Sequence, residues 1–341
     1  MYMITGAPFE GKRLRQLQLF LKSCGLDYDA SIAFTAALME DDEIIATGSL
    51  DGSTVKCVAV SPAHQGEDLT SRIMTVLVQK AAEKGIRHLM LYTKPQNRML
   101  FMPLGFHPVI ATADCLLMEN KRGGLKEFLS AVTKPHRAGD RVGCIVAHCN
   151  PFTLGHRYLI ETATKQCDYV HVFVLSEEKG MFTFPERMQM VKAGCSDLEN
   201  VLIHPTGPYM VSSATFPDYF IKDKQRVEDI RCEMDIRLFT EQIAPALGIH
   251  CRYVGTEPNC PVTAGYNARM KEMLPASGIE LIQIPRKETM GAPVSASRVR
   301  ALMAAGDVTQ LKEMLPQSTL QLIGARKGEA SCLIPSECSE T

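Results

Sequence analysis

The chain has 341 residues, 45% of them hydrophobic, and a formal net charge of −1 at pH 7. This length favours two domains with ordinary apolar cores, and the balanced charge excludes a broad basic face for nucleic acid. No run of 18 or more apolar residues is present, so we predict no transmembrane helix. Charged residues at Glu10, Lys12 and Arg13 argue against a secretory signal. We therefore expect a cytoplasmic protein without membrane or nucleic-acid partners.

The twelve cysteines do not have the spacing of a metal site. No C-x-x-C pair occurs, and Cys144 and Cys149 stand five residues apart within a predicted strand and turn. Structural zinc sites use closer and more regular ligand spacings. Scattered cysteines in a large cytosolic chain are mostly small buried hydrophobic residues. We predict no metal site built from protein side chains.

The first third of the chain has the pattern of an α+β domain, which we place at residues 1–134. Helices are predicted at 11–24, 69–84 and 97–103, and strands at 30–39, 43–50, 54–60 and 88–93. In helix 69–84, Ile73, Leu77 and Ala81 share one face, and Gly85 ends the helix. The polar stretch 133–140 breaks the periodicity and is predicted to be a linker.

Strands and helices alternate after the linker. Strands are predicted at 142–147, 169–175, 200–204, 251–254 and 280–284, and helices at 156–166, 185–193, 235–247, 264–274 and 295–305. This alternation predicts a doubly wound, Rossmann-like parallel sheet over residues 140–325, with ligands at the carboxyl ends of the strands. Residues 326–341, rich in Glu and Ser, are predicted to be a disordered tail.

The most informative segment follows the first of these strands and reads Asn150-Pro151-Phe152-Thr153-Leu154-Gly155-His156. A strand, a tight turn and a helix N-terminus form a site for phosphate, because backbone N–H groups and the helix dipole both favour negative charge. Gly155 lets the backbone come close to a ligand. His156 is placed to donate to phosphate oxygens from the first turn. The segment predicts a nucleotide enzyme.

A second candidate anion site opens the last predicted helix, in Ser295-Ala296-Ser297-Arg298-Val299-Arg300. Ser295 is a candidate N-cap, and Ser297 and Arg300 lie one turn apart on the same face. Alone, this pattern is more often an ordinary helix cap than an anion site.

Together, Thr-x-Gly-His and Ser-x-Ser-x-x-Arg resemble the paired signatures of the nucleotidylyltransferase superfamily. The resemblance implies that Thr153 and His156 contact the phosphates of ATP, and that Ser295, Ser297 and Arg300 clasp them from the other side. In that superfamily the α-phosphate is attacked and pyrophosphate leaves, with Mg²⁺ bound through the nucleotide phosphates. Catalysis of this kind rests on positioning and charge stabilisation.

Two further segments carry candidate contacts. Lys179 to Phe182, followed by Pro185-Glu186-Arg187, resembles a loop of the pantetheine-phosphate adenylyltransferases, which implies a phosphate contact for Lys179; a helix start with proline in its first turn is the alternative. Gly255-Thr256-Glu257 follows a strand, where an adenine or ribose contact is expected, or a plain turn. The aromatic stretch 209–220 either lines a pocket or packs as a surface loop.

The first domain carries a resemblance of its own. The stretch 60–69, with Gln65 and Gly66, resembles the acetyl-CoA-binding loop of the Gcn5-related N-acetyltransferases (GNAT), and 97–106 resembles a later segment of the same family. In that loop, backbone N–H groups hold a pyrophosphate. Asp68 stands where the family usually has glycine, and its carboxylate would repel a pyrophosphate.

The two domains together resemble the citrate lyase ligases. The resemblance rests on the string from Asn150 to Leu159, on 214–220, on 254–258 and on 294–297. It implies that acetate and ATP form acetyl-adenylate, and that the CoA-derived thiol of the acyl carrier subunit of citrate lyase takes the acetyl group. The residues leave two alternatives open. One is an adenylyltransferase for a phosphorylated metabolite of the pantetheine-phosphate or nicotinamide-mononucleotide type, and the other is a non-catalytic nucleotide or CoA sensor.

Overall fold

The computed structural model describes residues 1–134, 137–178, 180–210, 216–257 and 260–327. The chain divides into two compact units. The first comprises Met1–Glu127 and Thr215–Met234, and the second comprises Phe128–Ala214 and Asp235–Thr341. The sequence limits of 1–134 and 140–325 remain a prediction, and most of the expected tail, 328–341, lies outside the described residues.

The first unit is built on a seven-stranded sheet. Its strands are β1 (Tyr2–Gly6), β2 (Phe34–Glu40), β3 (Glu43–Asp51), β4 (Thr54–Val60), β5 (Met90–Thr93), β6 (His107–Ala111) and β7 (Leu116–Glu119), in the order β1-β2-β3-β4-β5-β7-β6. Its helices include α1 (Gly11–Ser23), α2 (Leu69–Glu83) and α3 (Arg98–Phe101). The apolar face of α2 packs on the sheet, where Ile73 and Leu77 are fully buried.

A cleft opens in this sheet because its one parallel pair of strands separates. β4 and β5 are paired only at Thr54–Met90 and Val55–Leu91. The backbone of Cys57 then has a positive φ of 52°. Beyond this point a cavity of about 620 Å³ lies between the end of β4, the start of α2 and residues 97–104, and its lining includes Val58, Gln65 and Asp68.

A segment that is distant in sequence completes the first unit. In this segment Phe216, Tyr219 and Phe220 are buried. The Tyr219 carbonyl accepts from the Asp27 N–H at 2.9 Å, and its hydroxyl donates to the Tyr92 carbonyl at 3.3 Å. Within the part of 209–220 that the structure describes, 216–220 therefore packs in the first unit. Residues 211–215 lie outside the described residues.

The second unit has the predicted parallel sheet. Its strands are β8 (Val142–Ala147), β9 (Tyr169–Val174), β10 (Val201–Pro205), β11 (Cys251–Gly255) and β12 (Glu280–Ile284), in the order β10-β9-β8-β11-β12. Strand order reverses at β8, so the switch point of the sheet lies between β8 and β11. These two strands are paired only at Gly143–Cys251 and Cys144–Arg252. Beyond Arg252 they separate.

Helices cover this sheet. They are α5 (Leu154–Thr164), α6 (Phe184–Gly194), α8 (Ala244–Leu247), α9 (Pro261–Met273), α10 (Ala296–Ala305), α11 (Val308–Lys312) and α12 (Gln317–Lys327), and a two-residue hairpin, β13 (Glu288–Thr289) and β14 (Ala292–Pro293), precedes α10. Val170, Val172 and Val174 of β9 lie in the main core. Among the described residues, no helix has the length and apolar character needed to cross a bilayer.

Several elements were not predicted from the sequence. Strands β1, β6 and β7 are short, and their patterns were not recognised. Helix α4 (Gly124–Ala131) was also missed. The predicted helix 235–247 begins earlier, at α7 (Val227–Leu238), and reaches α8 through a π-helical turn at Phe239–Ile243. The residues of α4 and α7 are divided between the two units.

Candidate active site

A cavity of about 340 Å³ lies at the switch point of the second unit. Its walls come from the ends of β8, β11 and β12 and from the helices α5, α9 and α10. Six residues that the sequence singled out line it: Thr153, Gly155, His156, Gly255, Glu257 and Ser295. The two predicted phosphate motifs therefore meet at one cavity, although about 140 residues separate them.

The first motif orients the imidazole of His156. Thr153 is the N-cap of α5, and its hydroxyl accepts from the His156 N–H at 3.3 Å. The ring folds back so that its Nδ1 accepts from the Thr153 N–H at 3.1 Å. A neutral imidazole that accepts at Nδ1 carries its proton on Nε2. His156 is thus a donor through Nε2 at the start of a helix.

The environment keeps His156 neutral. Burial lowers its pKa to about 4, with smaller contributions from the positive charge of Arg286 and from His148. The ring also stacks on Phe152, with ring centroids 5.8 Å apart. A neutral, oriented N–H donor binds a phosphate oxygen without giving up a proton.

Direct contacts hold the two motifs together. A Cβ on Gly155 would lie 2.9 Å from the Val294 carbonyl oxygen, so only glycine permits this approach of α5 to the start of α10. Arg300 donates from Nη1 to the Asn150 carbonyl at 2.6 Å. Ser295 caps α10 by accepting from the Arg298 N–H at 3.2 Å. The N-termini of α5 and α10 therefore face one cavity, where their dipoles favour an anion.

Buried residues that do not line the cavity hold the first motif in place. Phe152 is fully buried, and Pro151 follows a cis peptide bond. The side-chain oxygen of Asn150 accepts from the Phe182 N–H at 3.1 Å. Gly180 has φ +141°, and a Cβ there would lie 2.0 Å from the Asn150 amide nitrogen. Asn150 thus fixes the loop after β9 rather than lining the cavity.

Arg187 braces the same loop. Its guanidinium is fully buried and donates at 2.8 Å to the carbonyls of His148 and Leu175 and at 3.3 Å to that of Phe182. These carbonyls belong to the segments after β8 and β9. The Glu-Arg pair that suggested a phosphate loop therefore contains a structural arginine.

Other predicted residues either are not on the cavity wall or are engaged with protein groups. Ser297 is exposed, and Arg300 is engaged with Asn150. The Thr256 carbonyl accepts from Arg286 Nε at 2.7 Å, and the carboxylate of Glu257 pairs with the same arginine. Lys179 lies outside the described residues. Phosphate contacts by Ser297, Arg300 and Lys179 remain predictions.

The cavity contains residues that the sequence analysis did not identify. They are His148, Arg252, Tyr266, Asn267, Arg286 and Lys287. Arg286 and Lys287 were detectable in principle, since two basic residues directly after the last strand of a parallel sheet lie at its ligand-binding edge. Arg252 gave no such signal, because it lies inside an apolar strand.

The described residues contain no cluster of three or more His, Cys, Asp or Glu side chains suited to a metal ion. Glu257, the acidic side chain among the lining residues, is paired with Arg286.

The fold and cavity define a GNAT-like α+β unit joined to a parallel-sheet α/β unit with a candidate anion site at its switch point. The profile of the GNAT acetyltransferase family matches residues 6–106, and the profile of the citrate lyase ligase C-terminal domain matches residues 142–323. The predicted fold class is confirmed.

Curated relatives agree along most of the chain. Citrate (pro-3S)-lyase ligase of Klebsiella pneumoniae is 41% identical over 294 residues, which cover 85% of this chain and 84% of that protein. The enzyme of the same name from Escherichia coli K12 is 38% identical over 88% of this chain and 87% of its own length. A phosphopantetheine adenylyltransferase of Streptococcus gordonii is 28% identical over 32% of this chain and 69% of its own. The chain belongs to the citrate lyase ligase family and is therefore an enzyme.

Proposed function

We propose that the protein uses ATP and acetate to acetylate the CoA-derived prosthetic thiol of the citrate lyase acyl carrier subunit in the cytoplasm. In the first step an acetate oxygen attacks the α-phosphorus of ATP, an acyl–phosphate bond forms, and pyrophosphate leaves. In the second step the thiol attacks the acetyl carbonyl, a thioester forms, and AMP leaves. The products are AMP, pyrophosphate and the acetylated carrier, which makes citrate lyase active.

The observation that carries this proposal is the convergence of two helix N-termini and the Nε2 donor of His156 on one cavity. Acetate and ATP are both anionic, so their reaction requires donors that offset the repulsion. Thr153, His156 and Ser295 supply such groups around the phosphates, and Arg286 and Lys287 add positive charge at the same edge. Mg²⁺ carried on the phosphates would neutralise part of the remaining charge.

The first unit is proposed to hold the prosthetic arm of the carrier. Its cavity of about 620 Å³ lies at the N-terminus of α2, where Gly66 has φ +92° and Thr70 and Ser71 line the wall. A helix start of this kind suits a diphosphate linkage. Asp68, however, is exposed on the same wall, so we expect the arm to bind weakly until the whole carrier is present.

The test of the first step is acetate-dependent exchange of labelled pyrophosphate into ATP. We expect exchange with acetate and none with pantetheine phosphate. The reverse result would favour an adenylyltransferase, an alternative supported by the local similarity to phosphopantetheine adenylyltransferase. Absence of exchange with either acceptor would favour a non-catalytic nucleotide or CoA sensor.

The role of the first unit is tested in the full chain. Ser71→Glu places a carboxylate in the first turn of α2, on the cavity wall. We expect acetyl transfer to the carrier to show a KM for the carrier raised about tenfold, while acetate-dependent exchange is unchanged. The matched control is Thr75→Glu, one turn later and outside the cavity lining. If the two variants have the same KM for the carrier, the prosthetic arm does not bind in this cleft.

A further inference from the structure

A buried arginine lies at the point where β8 and β11 begin to separate. Arg252 is the last β11 residue paired with β8, and its side chain is 4% exposed on the wall of the active-site cavity. Its guanidinium lies over the rings of Phe239 and Tyr266, 4.6 and 5.6 Å from their centroids. The ring faces hold the cation in position but leave its N–H edge available.

This cation has few acceptors in the protein. Its Nη2 donates to the Tyr266 hydroxyl at 3.1 Å, whereas its buried Nε has no hydrogen-bond partner. Asp235 is the nearby carboxylate, but it accepts the hydroxyl proton of Tyr266. Within the described parts of the chain, Arg252 has no carboxylate within 4 Å. Asp235 acts on the guanidinium only across the Tyr266 hydroxyl. A buried cation with no carboxylate in direct contact is unfavourable, so this arrangement points to an anionic ligand.

The cavity wall beside Arg252 is largely apolar and favours a small ligand. Val146, Val254 and Met270 contribute apolar surface to the cavity. The amide of Asn267 donates to the Gly255 carbonyl at 3.0 Å, so it is already engaged. A short apolar group next to a carboxylate matches a wall composed of methyl groups and one guanidinium.

Arg252 lies on the other face of β11 from the phosphate motif. Side chains alternate along a strand, and Tyr253, the next residue, bonds to Gln166 just after α5. Arg252 points instead to Tyr266 of α9. A nucleotide phosphate held at α5 and an acid held from the α9 side would approach each other across the gap. This geometry suits an in-line displacement, in which the acid oxygen attacks the α-phosphorus on one side and pyrophosphate leaves on the opposite side.

We propose that Arg252 binds the carboxylate of the acid substrate, a short-chain monocarboxylate, and orients it towards the α-phosphate. This inference rests on the proposed function, because it assigns the acid to the cavity that holds ATP. Tyr266 acts as a positioning residue that holds the guanidinium and keeps Asp235 away from it.

The experiment measures acetate-dependent ATP–pyrophosphate exchange by the full chain with Arg252→Lys. The substitution keeps the charge but loses the planar pair of donors, so we expect KM for acetate to rise at least tenfold and KM for ATP to stay within twofold. Arg252→Ala should lose more, and added guanidinium should partly restore its KM for acetate. The control is Arg269→Lys on α9, where Arg269 pairs with Glu272 outside the cavity lining.

Three results would overturn the assignment. One is an unchanged KM for acetate in folded Arg252→Lys, which remains decisive if Arg252→Ala does not fold. The others are a rise in KM for ATP alone and an equal rise for both substrates. Saturation-transfer NMR of acetate, with a non-hydrolysable ATP analogue present, separates this inference from the proposed function. Suppose that acetate binds to the wild-type chain, that Arg252→Lys abolishes this binding, and that the wild type shows no exchange. The proposed reaction would then be refuted, but the carboxylate site at Arg252 would stand.

Discussion

The clefts of the two units form in the same way, but their walls carry different charged residues. In each, one parallel pair of strands is joined at only two residue pairs, β4 with β5 and β8 with β11, and then separates. In each, a helix N-terminus faces the gap. The gap in the second unit is surrounded by His156, Arg252 and Arg286, whereas the wall in the first unit carries Asp68. The strands provide the space, and we expect the charges on each wall to determine which anionic ligand binds in that cleft.

The strongest test of this contrast removes the oriented donor of the second unit. His156→Ala is expected to lower exchange by about 10²–10³-fold, the usual effect of deleting one donor to a developing charge. The melting temperature should change little at neutral pH, since His156 lies on the cavity wall and is not part of the hydrophobic core. His107→Ala, in the first unit, is the control. Wild-type exchange in His156→Ala would mean that the helix N-termini alone provide the site.

A backbone test concerns the contact between the two motifs. Gly155→Ala places a methyl group against the Val294 carbonyl, which must move. We expect a loss of about 1–3 kcal/mol in the free energy of unfolding, and at least tenfold slower exchange because the two helix starts separate.

The matched control for that change is Gly265→Ala within α9, where a Cβ meets nothing within 4 Å. It should be neutral or stabilise the protein by about 0.5–1 kcal/mol. Denaturant unfolding and exchange kinetics measure both variants. Equal behaviour of the two alanines would show that the close approach is unimportant.

The first unit permits the opposite experiment. Asp68 has φ +56° and stands on the wall of the GNAT-like cleft, so Asp68→Gly removes both the carboxylate and an unfavourable backbone conformation. We expect the affinity for CoA to rise about fivefold, the effect of one unit charge near a phosphate in a solvated site. Calorimetric titration measures this change.

Glu67→Gln removes an adjacent exposed charge outside the lining and serves as the control. If it raises affinity as much as Asp68→Gly, overall charge rather than the position of Asp68 controls binding.

The smallest expected effect is on acid stability. The pKa of His156 is about 4 in the folded protein because of burial, whereas an unfolded histidine titrates near 6.5. Between these values the unfolded chain binds more protons, so stability falls as pH drops from about 6.5 to 4. His204 adds a change of the same sign, since burial lowers its pKa to about 4.

His156→Gln should therefore show a shallower fall of melting temperature over this interval than the wild type, with the His204 contribution kept. If the melting temperatures of the two proteins fall in parallel with pH, His156 binds its proton equally in the folded and the unfolded state.

The sequence predicted what depends on local pattern. The alternation of strands and helices was sufficient for the parallel sheet, and the string from Asn150 to His156 indicated a helix start after its first strand. The N-cap role of Thr153 was not predicted. Arg252 could not be predicted, because a charged residue inside a strand acquires its meaning only from the gap beside it. The engagement of Arg300 with the Asn150 carbonyl could not be predicted either, since it depends on two distant turns meeting.

The segment that contains Tyr219 has a consequence for biosynthesis. Because Phe216, Tyr219 and Phe220 are buried in the first unit, that unit is incomplete until the chain has been made as far as residue 234. Domains usually fold as they leave the ribosome, the N-terminal one first. Here the first unit lacks these buried aromatic side chains until residues 128–214 have been translated. A single cut, by a protease or by gene truncation, therefore yields no fragment that contains all of the first unit and none of the second.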